Sequence, residues 1–177
     1  MVERILLLAC CMLLPASTAA QPRPDQEEEA GSKKPWIELE LKLPPFPKPE
    51  NLLQFEPSAA SSSRFYIDPG SISIGSDGAV RYTLVVRSSS GADNVSYEGI
   101  RCETREQKYY AFGGRDGTWS KARLSEWRRI EYKDINRQHA VLYADYFCPD
   151  RTLIKSSRDA VNRFKYGVPP RFGTGTS

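Results

Sequence analysis

The sequence predicts an α+β fold: an antiparallel β-sheet of about five to seven strands, with two C-terminal helices packed on it. Alternating apolar and polar segments recur between residues 64 and 121, separated by turn pairs such as Asp77-Gly78. The last third of the chain changes to helical spacing. Strands first and helices afterwards are typical of an antiparallel sheet with its helices segregated from it.

The first 20 residues have the three parts of a secretory signal peptide. The start MVER is weakly positive, an apolar run covers residues 5–14, and small residues follow Pro15. This run is too short to span a membrane as a helix, so we expect export with cleavage after Ala20. Two alternatives stay open: a retained membrane anchor, and acylation of Cys10 in the box Leu7-Leu8-Ala9-Cys10.

Two extended segments are predicted before the core. Residues 21–35 are polar, acidic and proline-bearing, which is typical of a disordered spacer. Residues 36–43, WIELELKL, place Ile and Leu on one face, as an edge strand would. We therefore expect one domain over residues 36–167, followed by a flexible tail over residues 168–177.

Turn signals and alternation place the strands of the core. Pro69-Gly70 and Asp77-Gly78 predict turns, and the segment 113–117 predicts a hairpin loop. The strand AVRYTLVVR presents one apolar face. The strand NVSYEGIRC changes phase, and a bulge at Gly99 would bring its apolar residues to one side of the sheet: Val95, Tyr97, Ile100 and Cys102.

Two helices are predicted in the C-terminal third. Residues 135–148 have helical spacing without Gly or Pro, and Pro149 stops the helix. Ser156 is a predicted N-cap of the second helix, with Asp159 three residues later, and Gly167 ends that helix.

Cys102 and Cys148 remain once the signal is removed. One cysteine pair in an exported chain predicts one disulfide, which here would join the end of a strand to the end of a helix. Redox-active pairs usually have C-x-x-C spacing and zinc sites use closely spaced pairs. The wide spacing fits neither, so no metal site and no cofactor are predicted.

His139 is the only histidine and the only obvious general base. It lies nine positions before Cys148, so at about 100° per residue the two side chains would face opposite ways. That geometry disfavours a Cys–His nucleophile, and no G-x-S-x-G elbow is present. A structural or surface role for His139 is favoured, no catalytic residue is assigned, and a small hydrolase with His139 as base is the alternative.

The charge of the domain favours an anionic partner. Residues 51–177 hold 19 Lys/Arg and 14 Asp/Glu, a net charge of +5. Arginine donates forked hydrogen bonds to carboxylates and phosphates, and aromatic faces can stack on rings or sugars. The competing interpretation is that the aromatic residues fill the core. The predicted anion or ligand site consists of Arg128, Arg129, Arg137, Tyr109, Tyr110, Trp119 and Trp127.

Three segments carry a resemblance to a known family: GAVRYTLVVRSSSGADNVSYEGIRC (78–102), YYAFGGRDGTWSKARLSEWRRI (109–130) and RQHAVLYADYFCP (137–149). They resemble the CNP-one-like family of small exported Gram-negative proteins, over about residues 36–167. The resemblance implies a location in the bacterial envelope. It brings no enzyme activity, cofactor or catalytic residue to this chain.

These observations together predict a periplasmic binding or assembly module, with lipid anchoring through Cys10 as the alternative location. Catalysis is disfavoured. The candidate partners are an anionic envelope component or another envelope protein. Nucleic acid is not an expected partner, and the mature chain is expected to lack a transmembrane helix.

Overall fold

A computed structural model describes residues 35–58, 61–132 and 137–169. The predicted signal peptide, Cys10, the spacer up to residue 34 and the tail from residue 170 lie outside the described residues. Residues 133–136, which include the predicted start of the first helix, also lie outside them.

In the described part of the chain, seven strands form one antiparallel sheet, followed by two helical segments. The spatial order is β1-β2-β3-β4-β5-β6, and the short β7 pairs with β5. This architecture confirms the predicted α+β class. The strands are β1 (Leu53–Phe55), β2 (Arg64–Ile74), β3 (Ala79–Arg87), β4 (Asp93–Arg101), β5 (Glu106–Gly113), β6 (Trp119–Lys121) and β7 (Arg128–Arg129).

The second helix, α2 (Ser157–Tyr166), has the predicted ends. The backbone N–H of Asp159 donates to Ser156 Oγ at 3.1 Å, which satisfies one of the free amides of the first turn. Gly167 follows the last turn with φ of 89°, a conformation that glycine adopts without steric cost. The N-cap and the C-terminal glycine therefore define this helix.

The first helix differs from a uniform α-helix. It begins as α1 (Arg137–Val141) and continues as a π-helical turn over Leu142–Phe147. The N–H of Cys148 donates to the carbonyl of Tyr143, five residues earlier, at 2.8 Å. A π-turn contains more residues than an α-turn, which changes the angle between His139 and Cys148. The prediction that their side chains face opposite ways is therefore wrong: both are buried against the sheet.

Both faces of the sheet are covered. The helix face carries the main core, in which apolar residues of β1 to β4 pack against α1, the π-helical turn and α2. The opposite face is covered by the segment 36–47, here called the strap, and by Trp127. The predicted apolar face of β3 is part of the main core: Val80, Tyr82, Leu84 and Val86.

The strap corrects the prediction of an edge strand at residues 36–43. It forms no strand, because its side chains lie across the sheet face instead of its backbone pairing with an edge. Trp36 and Glu38 point towards the sheet, whereas Ile37 is 73% exposed and Leu39 43% exposed. At these positions the apolar residues that were predicted to face the domain are therefore exposed, and the alternate residues face the sheet instead.

The pairing of β4 corrects the predicted bulge at Gly99. β4 pairs with β3 without interruption, and the irregularity lies on β5, where Tyr110 is the extra residue. Ile100 therefore belongs to the helix face and Tyr97 to the strap face. Gly99 is needed for close packing instead: a Cβ there would lie 2.8 Å from the Tyr110 hydroxyl and 3.0 Å from the Trp127 ring.

Pro69-Gly70 interrupts β2 without ending it. The pairing with β3 runs through Asp68 and resumes at Ser73, so the intervening residues form a bulge. The Ser71 hydroxyl donates to the Asp68 carbonyl at 2.7 Å and accepts the Thr83 N–H at 2.7 Å. The predicted turn between two strands is therefore a bulge within one strand.

Candidate functional site

The predicted disulfide between Cys102 and Cys148 is present, with 5.4 Å between the two Cα atoms. Cys102 directly follows β4, and Cys148 directly follows the π-helical turn. The bond therefore joins the sheet to the helical layer, as the sequence predicted. It also connects two turns that border the same cavity.

That cavity, of about 670 Å³, is here called the arginine pocket. Arg105 enters it from the turn between β4 and β5, Arg129 from β7, and Arg151 from the turn after Cys148. Two tyrosines supply its aromatic surface. The remaining lining residues carry two carboxylates, so the arginines are in excess: Glu103, Thr104, Tyr132, Tyr143, Ala144, Cys148 and Asp150.

The backbone of the arginine pocket is strained. Among the described residues, three non-glycine residues have positive φ, and all three line this pocket: Arg105 at 54°, Asp150 at 52° and Arg151 at 63°. The left-handed conformation costs an L-residue roughly 1–2 kcal/mol. Strained backbone of this kind persists only where the surrounding structure holds it in place, and it is found most often at functional sites.

Arg105 is the half-buried cation of the pocket. Its guanidinium carbon lies 4.3 Å from the centroid of the Tyr132 ring and 5.8 Å from that of Tyr143. Its Nε is buried and has no hydrogen-bond partner in the described structure. A buried donor without a partner costs free energy. Arg129 and Arg151 are exposed and can donate from the rim.

The seven site residues predicted from sequence lie in different environments. Tyr110 is 5% exposed and packs with Trp127 beneath the strap. Trp119 also lies on that face, where its Nε1 donates to the Pro44 carbonyl at 2.9 Å. These three aromatic residues are core residues of the strap face.

The remaining four predicted residues divide among separate positions. Arg129 lines the arginine pocket, and Arg137 is exposed at the first position of α1. Tyr109 and Arg128 meet at a second cavity, of about 490 Å³, on the helix side of β5. The structure therefore places only Arg129 in the pocket where arginines converge.

The sequence analysis did not predict four residues of the arginine pocket: Arg105, Arg151, Tyr132 and Tyr143. The pocket is assembled from turns far apart in the chain, and arginine carries no local signal for a left-handed conformation. One pattern could have located it. Arg105 and Arg151 each stand three residues after a bridging cysteine, so the disulfide brings their turns together.

A buried acid–histidine network joins β3, β4 and α1. Glu98 is 0% exposed and His139 2% exposed, and His139 Nε2 lies 2.8 Å from Glu98 Oε2. The Tyr82 hydroxyl donates to Oε2 at 2.9 Å, and the Ser96 hydroxyl donates to Oε1 at 2.5 Å. Burial, together with the Glu98 carboxylate, raises the pKa of Tyr82 well above its usual value, so this phenol stays a donor.

The position of His139 bears on the hydrolase alternative. A general base must reach a proton of its substrate, whereas His139 Nε2 is engaged by Glu98 in the interior. Ser96 bonds to Glu98 and not to the imidazole. The network therefore acts as a buried connection between the sheet and α1, and nothing in it favours hydrolysis.

A second charged cluster fastens the strap to the sheet. Glu38 accepts from Lys108 Nζ at 2.7 Å and from the Tyr110 hydroxyl at 2.8 Å. Burial alone would raise the pKa of Glu38, but these two hydrogen bonds lower it. The Arg101 guanidinium lies 3.8 Å from the centroid of the Trp36 ring. This cluster is occupied by its own partners and holds the strap down.

No helix in residues 35–58, 61–132 or 137–169 is long and apolar enough to cross a membrane. Within the same residues, no group of three or more His, Cys, Asp and Glu side chains is arranged to hold a metal ion.

Fold and site together define a small disulfide-bonded α+β domain with a basic pocket on its surface. The model of the CNP1-like family matches residues 31–165, and the chain belongs to that family. No curated protein and no solved structure matches the chain.

Proposed function

We propose that this CNP1-like protein is an exported cell-envelope module that binds an anionic ligand in the arginine pocket and has no catalytic activity. One observation carries the proposal: three arginines line one cavity, in excess of the two carboxylates that line it with them. The disulfide supports export, because such bonds persist in oxidising compartments.

The chemistry of the pocket favours carboxylate or phosphate groups. Guanidinium groups donate two parallel hydrogen bonds to either anion, and such charge-assisted bonds are about twice as strong as neutral ones. Tyr132 and Tyr143 hold Arg105 by cation–π contacts, so its donors are oriented before a ligand arrives. Pre-organisation of this kind lowers the entropic cost of binding.

Calorimetric titration with inorganic phosphate and with citrate tests the proposal. We expect saturable binding of at least one probe. Arg129→Ala and Arg151→Ala should each weaken it about tenfold, which corresponds to the loss of roughly 1.4 kcal/mol. Raising the salt concentration should weaken binding of the probe to the wild type, because salt screens the charges.

Arg158→Ala is the matched control, because Arg158 is an exposed arginine of α2 outside the pocket. Its affinity should equal that of the wild type. Absence of binding to both probes, or an equal loss in Arg158→Ala, would contradict the proposal.

The proposed location is the periplasm, after cleavage behind Ala20, with a lipid anchor through Cys10 as the second possibility. Intact-mass measurement of protein recovered from a Gram-negative host distinguishes the two. A chain that begins at Gln21 supports a free periplasmic protein, and an acylated chain that begins at Cys10 supports the anchor. A chain that retains Met1 would contradict export by cleavage.

A further inference from the structure

The two turns that carry Arg105 and Arg151 meet through one covalent bond. Cys102 begins the first turn and Cys148 begins the second, and each arginine stands three residues later. In both turns, therefore, the left-handed residues that line the arginine pocket lie only two or three residues after a bridging cysteine. Cys148 itself lines the cavity.

Hydrogen bonds also hold these turns. The Arg151 N–H donates to the Cys148 carbonyl at 3.0 Å, within the second turn. In the first turn, the Arg105 carbonyl accepts the Ile130 N–H at 2.9 Å, which ties it to the end of β7. Across the gap, the Tyr143 hydroxyl donates to the Cys102 carbonyl at 3.3 Å. Tyr143 belongs to the π-helical turn, whereas the disulfide joins the two turns themselves by a covalent bond.

We propose that the Cys102–Cys148 disulfide is a positioning element of the arginine pocket, and that the pocket keeps its anion affinity only while this bond is intact. The statement about affinity rests on the proposed function. Left-handed arginines relax to the right-handed or extended regions unless their surroundings prevent it. Without the covalent constraint, an anion would have to order both turns as it binds, and its affinity would fall by that cost.

The main core does not depend on this bond alone. The sheet, the π-helical turn and α2 share a continuous buried cluster that includes Tyr82, Phe147 and Ala160. The Glu98–His139 pair also joins β4 to α1 independently of the cysteines. Loss of the disulfide should therefore loosen the two turns while the sheet remains folded.

The decisive variant is Cys102→Ala/Cys148→Val, which removes the bond and retains apolar side chains in the core. Hydrogen exchange followed by mass spectrometry comes first, because it needs no ligand. We expect faster exchange at residues 103–105 and 150–152, with unchanged protection in β3. Unchanged exchange in both turns would overturn the proposal.

Titration of the same variant with inorganic phosphate or citrate, whichever binds the wild type, tests the effect on affinity. We expect a loss of about tenfold or more, against no loss in Arg158→Ala. Equal affinity in a folded disulfide-free variant would overturn the proposal. If the wild type binds neither probe, the proposed function fails, whereas the exchange experiment still decides whether the disulfide positions the turns.

If the double variant does not fold, the wild-type protein with its disulfide reduced is used in its place. A phosphine such as TCEP supplies two electrons and water supplies two protons, so the S–S bond is replaced by two thiols and the phosphine becomes its oxide. Both measurements are then repeated on that protein. General loss of protection in β3 in both disulfide-free proteins would also overturn the proposal, because the bond would then support the whole fold.

Discussion

His139 Nε2 and Glu98 Oε2 lie 2.8 Å apart in the interior, where α1 crosses β4. Both oxygens of Glu98 are occupied, one by Ser96 and the other by Tyr82 and His139. A carboxylate in such a place is costly unless all its acceptor positions are satisfied. The pair therefore fixes where α1 lies on the sheet.

Removing Glu98 should strongly destabilise the domain. Loss of Glu98 leaves three buried polar groups without their partner, those of Tyr82, Ser96 and His139, and each such group costs about 1–3 kcal/mol. We expect Glu98→Ala to lose free energy of unfolding of that order, and Glu98→Gln to lose less because the amide keeps the size and one acceptor. Urea denaturation measures both, with Glu50→Ala at an exposed position as control. A Glu98→Ala variant within 0.5 kcal/mol of the wild type would refute the structural role.

The stability of the domain should fall in acid because of Asp77. Burial alone would raise its pKa, but hydrogen bonds from Arg81 and from the Leu39 and Ala79 amides lower it to about 2. An unfolded aspartate titrates near 3.9. The contribution of Asp77 is thus complete above about pH 5 and is lost as the pH falls from about 4 to about 2, by roughly 2 kcal/mol.

Urea denaturation between pH 2 and pH 6 measures this dependence. Asp77→Asn cannot titrate at this position, so its stability should change less over the same interval. Parallel pH profiles of the wild type and Asp77→Asn would show that Asp77 contributes nothing to acid sensitivity.

The two glutamates of the strap should contribute differently to the stability of the domain. Glu38 contacts Lys108 and Tyr110, whereas Glu40 is exposed. Glu38→Gln should lower the free energy of unfolding by about 1–2 kcal/mol, since a partly buried charge-assisted pair is lost. Glu40→Gln should stay within about 0.5 kcal/mol of the wild type. Urea denaturation measures the free energy of unfolding of both variants, and limited proteolysis measures how accessible the strap is in each. Equal effects of the two substitutions would mean that Glu38 does not hold the strap.

The left-handed backbone of Arg151 should make glycine more stable than alanine at this position, although neither residue can replace the arginine in binding an anion. Its φ of 63° suits glycine, so Arg151→Gly should be more stable than Arg151→Ala by about 1 kcal/mol. Both variants should bind phosphate or citrate more weakly than the wild type. The same pair at Arg158, within α2, should have the opposite order, because alanine favours a helix over glycine. If Arg151→Gly proves less stable than Arg151→Ala, the backbone there is not strained.

Local signals were sufficient for much of the fold. Strands β3 to β6, the hairpin turns at Asp77-Gly78 and residues 113–117, and helix α2 with its caps all follow from patterns only a few residues long. The disulfide followed from counting the cysteines that remain after the signal. These features depend on neighbours in sequence or on a single possible pairing.

The remaining features depend on tertiary context. Apolar patterning could not show that Glu98 points into the core, because β4 is buried on both faces and its hydrogen-bond partners come from other elements. The π-helical turn changed the phase between His139 and Cys148 without a proline or glycine to signal it. The arginine pocket required three distant segments and unusual backbone angles, and neither is encoded in local periodicity.

The sheet is enclosed by segments from opposite ends of the domain: the strap precedes the first strand, and α1, the π-helical turn and α2 follow the last. A chain released from synthesis before residue 166 would leave the helix face incompletely covered, and one trimmed to residue 48 would expose Tyr110 and Trp127. A fragment that lacks the strap or α2 thus leaves one face of the sheet partly open to water. We therefore expect both faces to be covered only after the final helix becomes available.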